Sequence, residues 1–274
     1  MSHPHWSPLS ISDKSRLVNS RVHLHAAAQL PAMFARSFHP ASEEDEFGSL
    51  LWYPNLRAWC SQPVHVGGRI HQIALDPALS ALIHLQDGGE LFAPWSLHGK
   101  SMEEAVIWLR NQAKEAGLDD SAFRSEIPYD IGEVPTTCLK EDSDAFAEWA
   151  HYYDNAFQLL LPISEKYEGA GGVRTWPHHF DIAVLITHPQ DEGLYTGIGL
   201  SPGDHNYDRP YFYTSPYPAP DSEFPELTHG FWHTDGFTSM VLPMETFLGP
   251  DQQRMMQEFV TETVGLSCKI VGAD

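Results

Sequence analysis

The residues richest in chemistry lie in one short run, Thr175-Trp-Pro-His-His-Phe-Asp-Ile-Ala183. Side chains alternate across a β-strand. A strand over Trp176–Val184 would turn His178 to one face and His179 and Asp181 to the other. A carboxylate two residues from an imidazole can orient the ring, raise its pKa or join it on a metal ion. The same pair can equally be a buried hydrogen bond that fastens the strand, since burying polar groups without partners costs free energy. Both readings stand, and His179 and Asp181 are the candidate catalytic residues under the first. Farther on come His229, His233 and Asp235. Asp235 precedes Gly236 and reads as a hairpin-turn residue. His178, His179, Asp181, His229 and His233 form the candidate ligand set for a divalent metal, which would activate water. No compact ligand motif such as HExxH accompanies them.

A second concentration is aromatic. Tyr207, Tyr211, Phe212, Tyr213 and Tyr217 fall within eleven residues, among Pro202, Pro210, Pro216 and Pro218. Pro-rich aromatic segments make rigid walls with a polar tip. One reading is the wall of a small-molecule cleft, with Trp176, Tyr211 and Tyr213 as candidate ligand-binding residues. The other is an edge strand whose rings cap a sheet. Nucleophile-elbow, Walker and dinucleotide-binding motifs are absent. Cys60, Cys138 and Cys268 are odd in number and widely spaced, the pattern of reduced, inert thiols.

These residues need a scaffold, and the chain contains the same short pattern twice. Gly68–Pro77 and Gly193–Pro202 both fit G-x4-I-x-L-x-P, with their prolines 125 residues apart. Pro54 in WYPNLRAW faces Pro177 at an offset of 123, which sets Leu56 and Ala58 where the second copy has His179 and Asp181. Asp87-Gly88 faces Asp235-Gly236. The closely spaced strands between turn signals pair antiparallel, because parallel crossovers need a dozen or more residues. The expected fold is α+β, with two pseudo-symmetric helix–antiparallel sheet–helix units and helices on one face of a combined sheet. An N-terminal arm over 1–13, with His3 and His5, precedes the first unit at 14–117. A connector over 118–142 leads to the second unit at 143–264, with an insertion at 201–230 and a tail at 265–274. A helix over 14–38 should be kinked or interrupted by Pro31. Ser101 and Glu104 form a capping box for the next helix. Ile73 should match Ile198 in space.

Composition narrows the function classes. The 274 residues carry 37 acidic against 16 basic side chains, a net charge of −21. Such a chain repels phosphate backbones and offers no basic stripe, which argues against nucleic-acid partners. No apolar run is long enough for a membrane span, and the N-terminus does not read as a signal peptide. The expected location is the cytoplasm.

Four segments together resemble a bacterial family known only as a domain of unknown function. They are Leu24-His25 with Gln29, TWPHHFDIAV at 175–184, PYFYTSPYP at 210–218 and HTDGFTSMVLPMETF at 233–247. The resemblance implies one architecture and no activity. It also implies that Phe180 and Asp181 matter more than the two histidines before them. Three functions remain open: a small-ligand binder or enzyme of unassigned reaction with its site in the second unit, a divalent-metal enzyme, or a structural protein without catalysis.

Overall fold

The computed structural model describes residues 6–9, 13–42, 45–137, 142–188, 193–221 and 224–272. His3, His5 and Cys138 lie outside the described residues. The strands form two antiparallel sheets, of seven and six strands, and Leu50, beside the strand Leu51–Tyr53, makes an antiparallel bridge with Thr175 of the strand Arg174–Trp176. The chain divides into two compact units.

Asp13–Ala150 and Thr175–Phe180 form one unit. Its first helix, α1 (Lys14–Phe38), starts at Asp13, whose carboxylate accepts from the amides of Ser15 and Arg16. Pro31 does not interrupt α1. Leu24 to Ala35 are buried almost all round, as befits a central helix, and packing there outweighs the one amide donor that proline lacks. The strands are β1 (Leu51–Tyr53), β2 (Ala58–Cys60), β3 (Val64–Val66), β4 (Arg69–Asp76), β5 (Ala81–Gln86), β6 (Gly89–Glu90) and β7 (Trp95–Ser96). Their order is β1-β2-β4-β5-β6, with β3 also on β4 and β7 on β5. Gly67-Gly68 and Asp87-Gly88 close two-residue hairpin loops, with both φ angles positive in each, the geometry that suits strand twist. Helix α2 (Met102–Glu115) carries the reciprocal capping box of Ser101 and Glu104.

Helix α3 (Ser143–Lys166) and strand β8 (Arg174–Trp176) run across the unit boundaries. The second unit comprises Met1–Ser12, His151–Arg174 and Asp181–Asp274. It contains β9 (Asp181–Thr187), β10 (Tyr195–Ser201), β11 (Tyr211–Tyr217), β12 (Phe231–His233), β13 (Ser239–Pro243), α4 (Met244–Phe247) and α5 (Gln252–Ile270). The six-stranded order is β12-β13-β11-β10-β9-β8. Helix α5 lies on one sheet face, where Thr214 bonds Thr263 at 2.7 Å and Thr196 bonds Ser267 at 2.8 Å. Part of the N-terminal arm is fastened rather than loose. The Asn155 carboxamide pairs with both backbone groups of Ser7, and that of Gln252 does the same for Leu9.

Three expectations need correction. The Trp176–Val184 run is not one strand: residues 177–180 form a turn between β8 and β9. The chain turns at the matching place in the first unit, residues 54–57, between β1 and β2. The two turns share a backbone bond to the residue before the proline, Leu56 N to Tyr53 O and His179 N to Trp176 O. They also share a positive φ at their fourth residue, 51° at Arg57 and 57° at Phe180. Lastly, the Asp-Gly match does not mark equivalent strands. Ile73 pairs with His84 of β5, whereas Ile198 pairs with Thr214 of β11. The insertion therefore supplies an interior strand, between β10 and β13, and not an edge strand.

Candidate functional site

The proline-led turn at 177–180 is held by α1. The Pro177 carbonyl accepts from His25 Nε2 at 2.7 Å and from Gln29 Nε2 at 2.8 Å, two donors one helical turn apart. Gln29 also donates to the His25 carbonyl at 3.1 Å and accepts from the Tyr129 hydroxyl at 3.1 Å. Arg36 donates to that hydroxyl and forms a two-point ion pair with Asp45 at 2.8 and 2.6 Å. The His25 ring stacks on Phe180 at 5.5 Å, and Trp59 meets Phe180 at 5.2 Å. Burial drives the His25 pKa down to about 4 against the pull of the Pro177 carbonyl, so the ring is neutral with its proton on Nε2. The Leu-His…Gln and Trp-Pro-His-His-Phe segments thus form one clasp, in which a bulky residue at positive φ is fixed by the packing of its buried ring on His25 and Trp59.

Two further histidines precede Phe180 in the turn. His178 is half-buried, with Trp176 and Tyr129 edge-on to its ring. His179 is exposed, 4.5 Å from the His178 ring. Asp181 is buried. The expected common face of His179 and Asp181 fails, because the turn ends between them and strand alternation begins only at Asp181.

Asp181 is instead part of a row of phenols in the second unit. Tyr213 donates to Asp181 Oδ2 at 2.5 Å, and Tyr211 donates to Asp204 Oδ2 at 2.6 Å. Asp204 is set by its other oxygen, which accepts from the amides of Asn206 and Tyr207. The Tyr207 hydroxyl lies 2.8 Å from His233 Nδ1, and His233 Nε2 donates to the Asp235 carbonyl at 2.7 Å. With Nε2 protonated, a neutral His233 accepts from Tyr207. Burial first, then the facing carboxylate, raises the Tyr213 hydroxyl well above its ordinary pKa. Burial and Asp204 do the same at Tyr211. Both phenols therefore stay protonated as fixed donors. Cys60 and Cys268 are buried, and burial raises both thiols, which removes them as nucleophiles at neutral pH.

The metal ligand set does not assemble. His229 bonds Glu258 of α5 at 2.8 Å, and His233 spends both nitrogens on Tyr207 and Asp235. Among the described residues no group of three or more His, Cys, Asp or Glu side chains comes together to hold a metal ion. Asp235 stands in the loop between β12 and β13, as its glycine neighbour suggested.

The register defines a face opposite α5, because paired residues in antiparallel strands point the same way. One row is Ala183–Gly199–Tyr213–Val241–Phe231. The next holds Leu185–Gly197–Ser215, with Ser215 bonded to Ser239 at 3.0 Å. A third is Thr187–Tyr195–Tyr217, whose two tyrosine rings stack at 4.5 Å and 10°. Leu185, Phe231 and Tyr217 keep 39%, 46% and 52% of their surface exposed. The two glycines of this face differ. A Cβ on Gly199 would stand 2.5 Å from the Ile182 carbonyl oxygen and 3.0 Å from the Tyr213 hydroxyl, so packing requires glycine. A Cβ on Gly197 would meet nothing within 4 Å, and its φ is not positive.

Gly197 thus leaves an open notch on this face, flanked across the strands by Leu185 and Ser215 and by the next row, Tyr195 and Tyr217. Of these residues, sequence reading singled out only Tyr217. The Tyr-x-Gly-x-Gly alternation at 195–199 was the available signal, since two glycines on one strand face leave a bare floor. Trp176 belongs to the other unit and is half-buried beside His178. No helix among the described residues is long and apolar enough to cross a membrane. No protein-family model matches the chain, nor does any curated protein or solved structure.

Proposed function

We propose that the protein binds a small organic molecule carrying a flat ring, and does so non-covalently at the Gly197 notch. The observation that carries this reading is the notch itself. A glycine inside a strand weakens it unless backbone conformation, packing or an approaching ligand requires one. Neither of the first two applies at Gly197. The stacked Tyr195–Tyr217 pair supplies a ring platform, Leu185 an apolar wall and Ser215 a polar handle, the mixture typical of small-molecule sites. Exposed apolar side chains gathered on one face point the same way. Binding fits better than acid–base catalysis, because the Tyr195, Tyr211 and Tyr213 hydroxyls all lie above the ordinary phenol range.

A ligand-observed NMR screen with neutral, cationic and anionic ring compounds tests the proposal. At least one compound should bind more tightly than about 1 mM. Gly197→Val, which fills the notch, and Tyr217→Ala, which removes half the platform, should each weaken that compound about tenfold or more. A screen without binders, or a binder indifferent to both substitutions, would refute the reading.

A further inference from the structure

We infer that His71, His84 and Gln112 form a proton-operated latch that fastens α2 to the first sheet at neutral pH and lets it go in mild acid. The three side chains come from β4, β5 and α2, and all three are buried, His84 completely. His84 Nδ1 lies 2.9 Å from Gln112 Oε1, and His84 Nε2 lies 3.0 Å from His71 Nδ1. A carboxamide oxygen only accepts, so His84 Nδ1 carries a proton. At neutral pH its Nε2 then accepts from His71 Nδ1–H, and both rings are uncharged.

The space between the facing nitrogens already holds the His71 Nδ1 proton, so one added proton goes to His71 Nε2 and every hydrogen bond is kept. Its charge is shared through that bond with His84, whose ring lies beside those of Phe34 from α1 and Phe92. Few charged groups act on the pair. Asp87 favours a charge on His71 and Arg69 opposes it, and these two are paired with each other at 2.7 Å, so their fields largely cancel. His71 and Gln112 are the groups that act on His84 besides burial. A second proton sets two N–H groups head to head and breaks the His71–His84 bond. Burial lowers the titration of both rings. The latch therefore holds at neutrality and yields as pH falls below the ordinary histidine value of about 6.5. Lifting α2 off the pair rehydrates both rings, so proton uptake favours the lifted form and loosens the stripe of α2 formed by Ala105, Leu109 and Ala113.

Hydrogen exchange of the full chain, read by mass spectrometry and corrected for the intrinsic rate, tests the latch between about pH 7.5 and about pH 5. The expected result is a loss of protection of about tenfold or more in α2, with α5 unchanged. His71→Gln keeps a hydrogen-bonding side chain that does not titrate, and should remove most of that pH dependence. Long-range 15N imidazole spectra of the wild type give a reading free of any variant: two rings titrating in two steps below the ordinary value. The inference is overturned if α2 keeps its protection at about pH 5 or if α2 and α5 lose it together. It also fails if His71→Gln leaves the pH dependence intact, or if both rings titrate independently at the ordinary value.

Discussion

The polar side chains of the two sheets are used differently. On β4 and β5, His71, Gln72 and His84 are buried and bonded, His71 to His84, His84 to Gln112, and Gln72 to the Ser61 carbonyl. On β9–β13, the helix-bearing face is sealed by threonine and serine pairs, while the opposite face is sealed at one end and open at the other. At the sealed end Tyr213 and Tyr211 close over Asp181 and Asp204. At the open end Leu185, Gly197 and Tyr217 meet solvent. Antiparallel sheets can leave one face to water, and that face is then usually polar. An open face of glycine, leucine and tyrosine is the departure from which a binding site is inferred. The buried histidines of the first sheet offer no such surface, and their chemistry is limited to gaining and losing protons.

Substitutions test this contrast, beginning with the largest expected effect. Phe180→Ala removes a fully buried ring that packs on His25 and Trp59, and should cost about 3–5 kcal/mol in urea denaturation. A cost below about 1 kcal/mol would mean that the clasp is not what fixes this turn. Next comes acid. The folded His25 pKa is depressed to about 4 from 6.5. The unfolded chain therefore takes up the proton first, so this contribution is complete above about pH 6.5 and is lost as pH falls towards 4. The loss should be on the order of 3 kcal/mol, and His25→Gln should flatten the stability–pH curve over that window. An unchanged curve would contradict the assignment of His25 as a buried neutral donor.

Smaller effects separate the sealed end of the second sheet from the open one. Asp181→Asn should cost about 1–3 kcal/mol in thermal melts, the penalty for weakening a buried charged hydrogen bond. Ligand binding at Gly197 should be retained. Loss of binding with little change in melting would instead place Asp181 in the site. Gly199→Ala forces a methyl group against the Ile182 carbonyl and should cost about 1–3 kcal/mol. Gly197→Ala should raise stability by about 0.5 kcal/mol, because glycine in a strand wastes backbone entropy and nothing fills this position. If Gly197→Ala destabilises as much as Gly199→Ala, the notch is not open.

Local pattern determined much of this protein. The α+β class, antiparallel pairing, the Ser101 helix start, the Asp-Gly turns and most strand positions follow from periodicity, caps and turn residues, which act within a few positions along the chain. The paired prolines at 54 and 177 also marked two turns of the same backbone shape. Sequence alone could not place the proline-led turns inside apparently continuous strands, because apolar runs look alike whether extended or folded back. It could not choose between Tyr213 and His179 as the neighbour of Asp181, since the first lies 32 positions away and meets it only through the β9–β10–β11 register. It could not assign two donors of α1 to one carbonyl at Pro177, nor bring His71 to His84 and Gln112. These contacts join segments far apart in the chain, and only side-chain packing selects them. The distinction between Gly197 and Gly199 is of the same kind. Both are glycines on one strand face, and what stands over each is decided by the neighbouring strands.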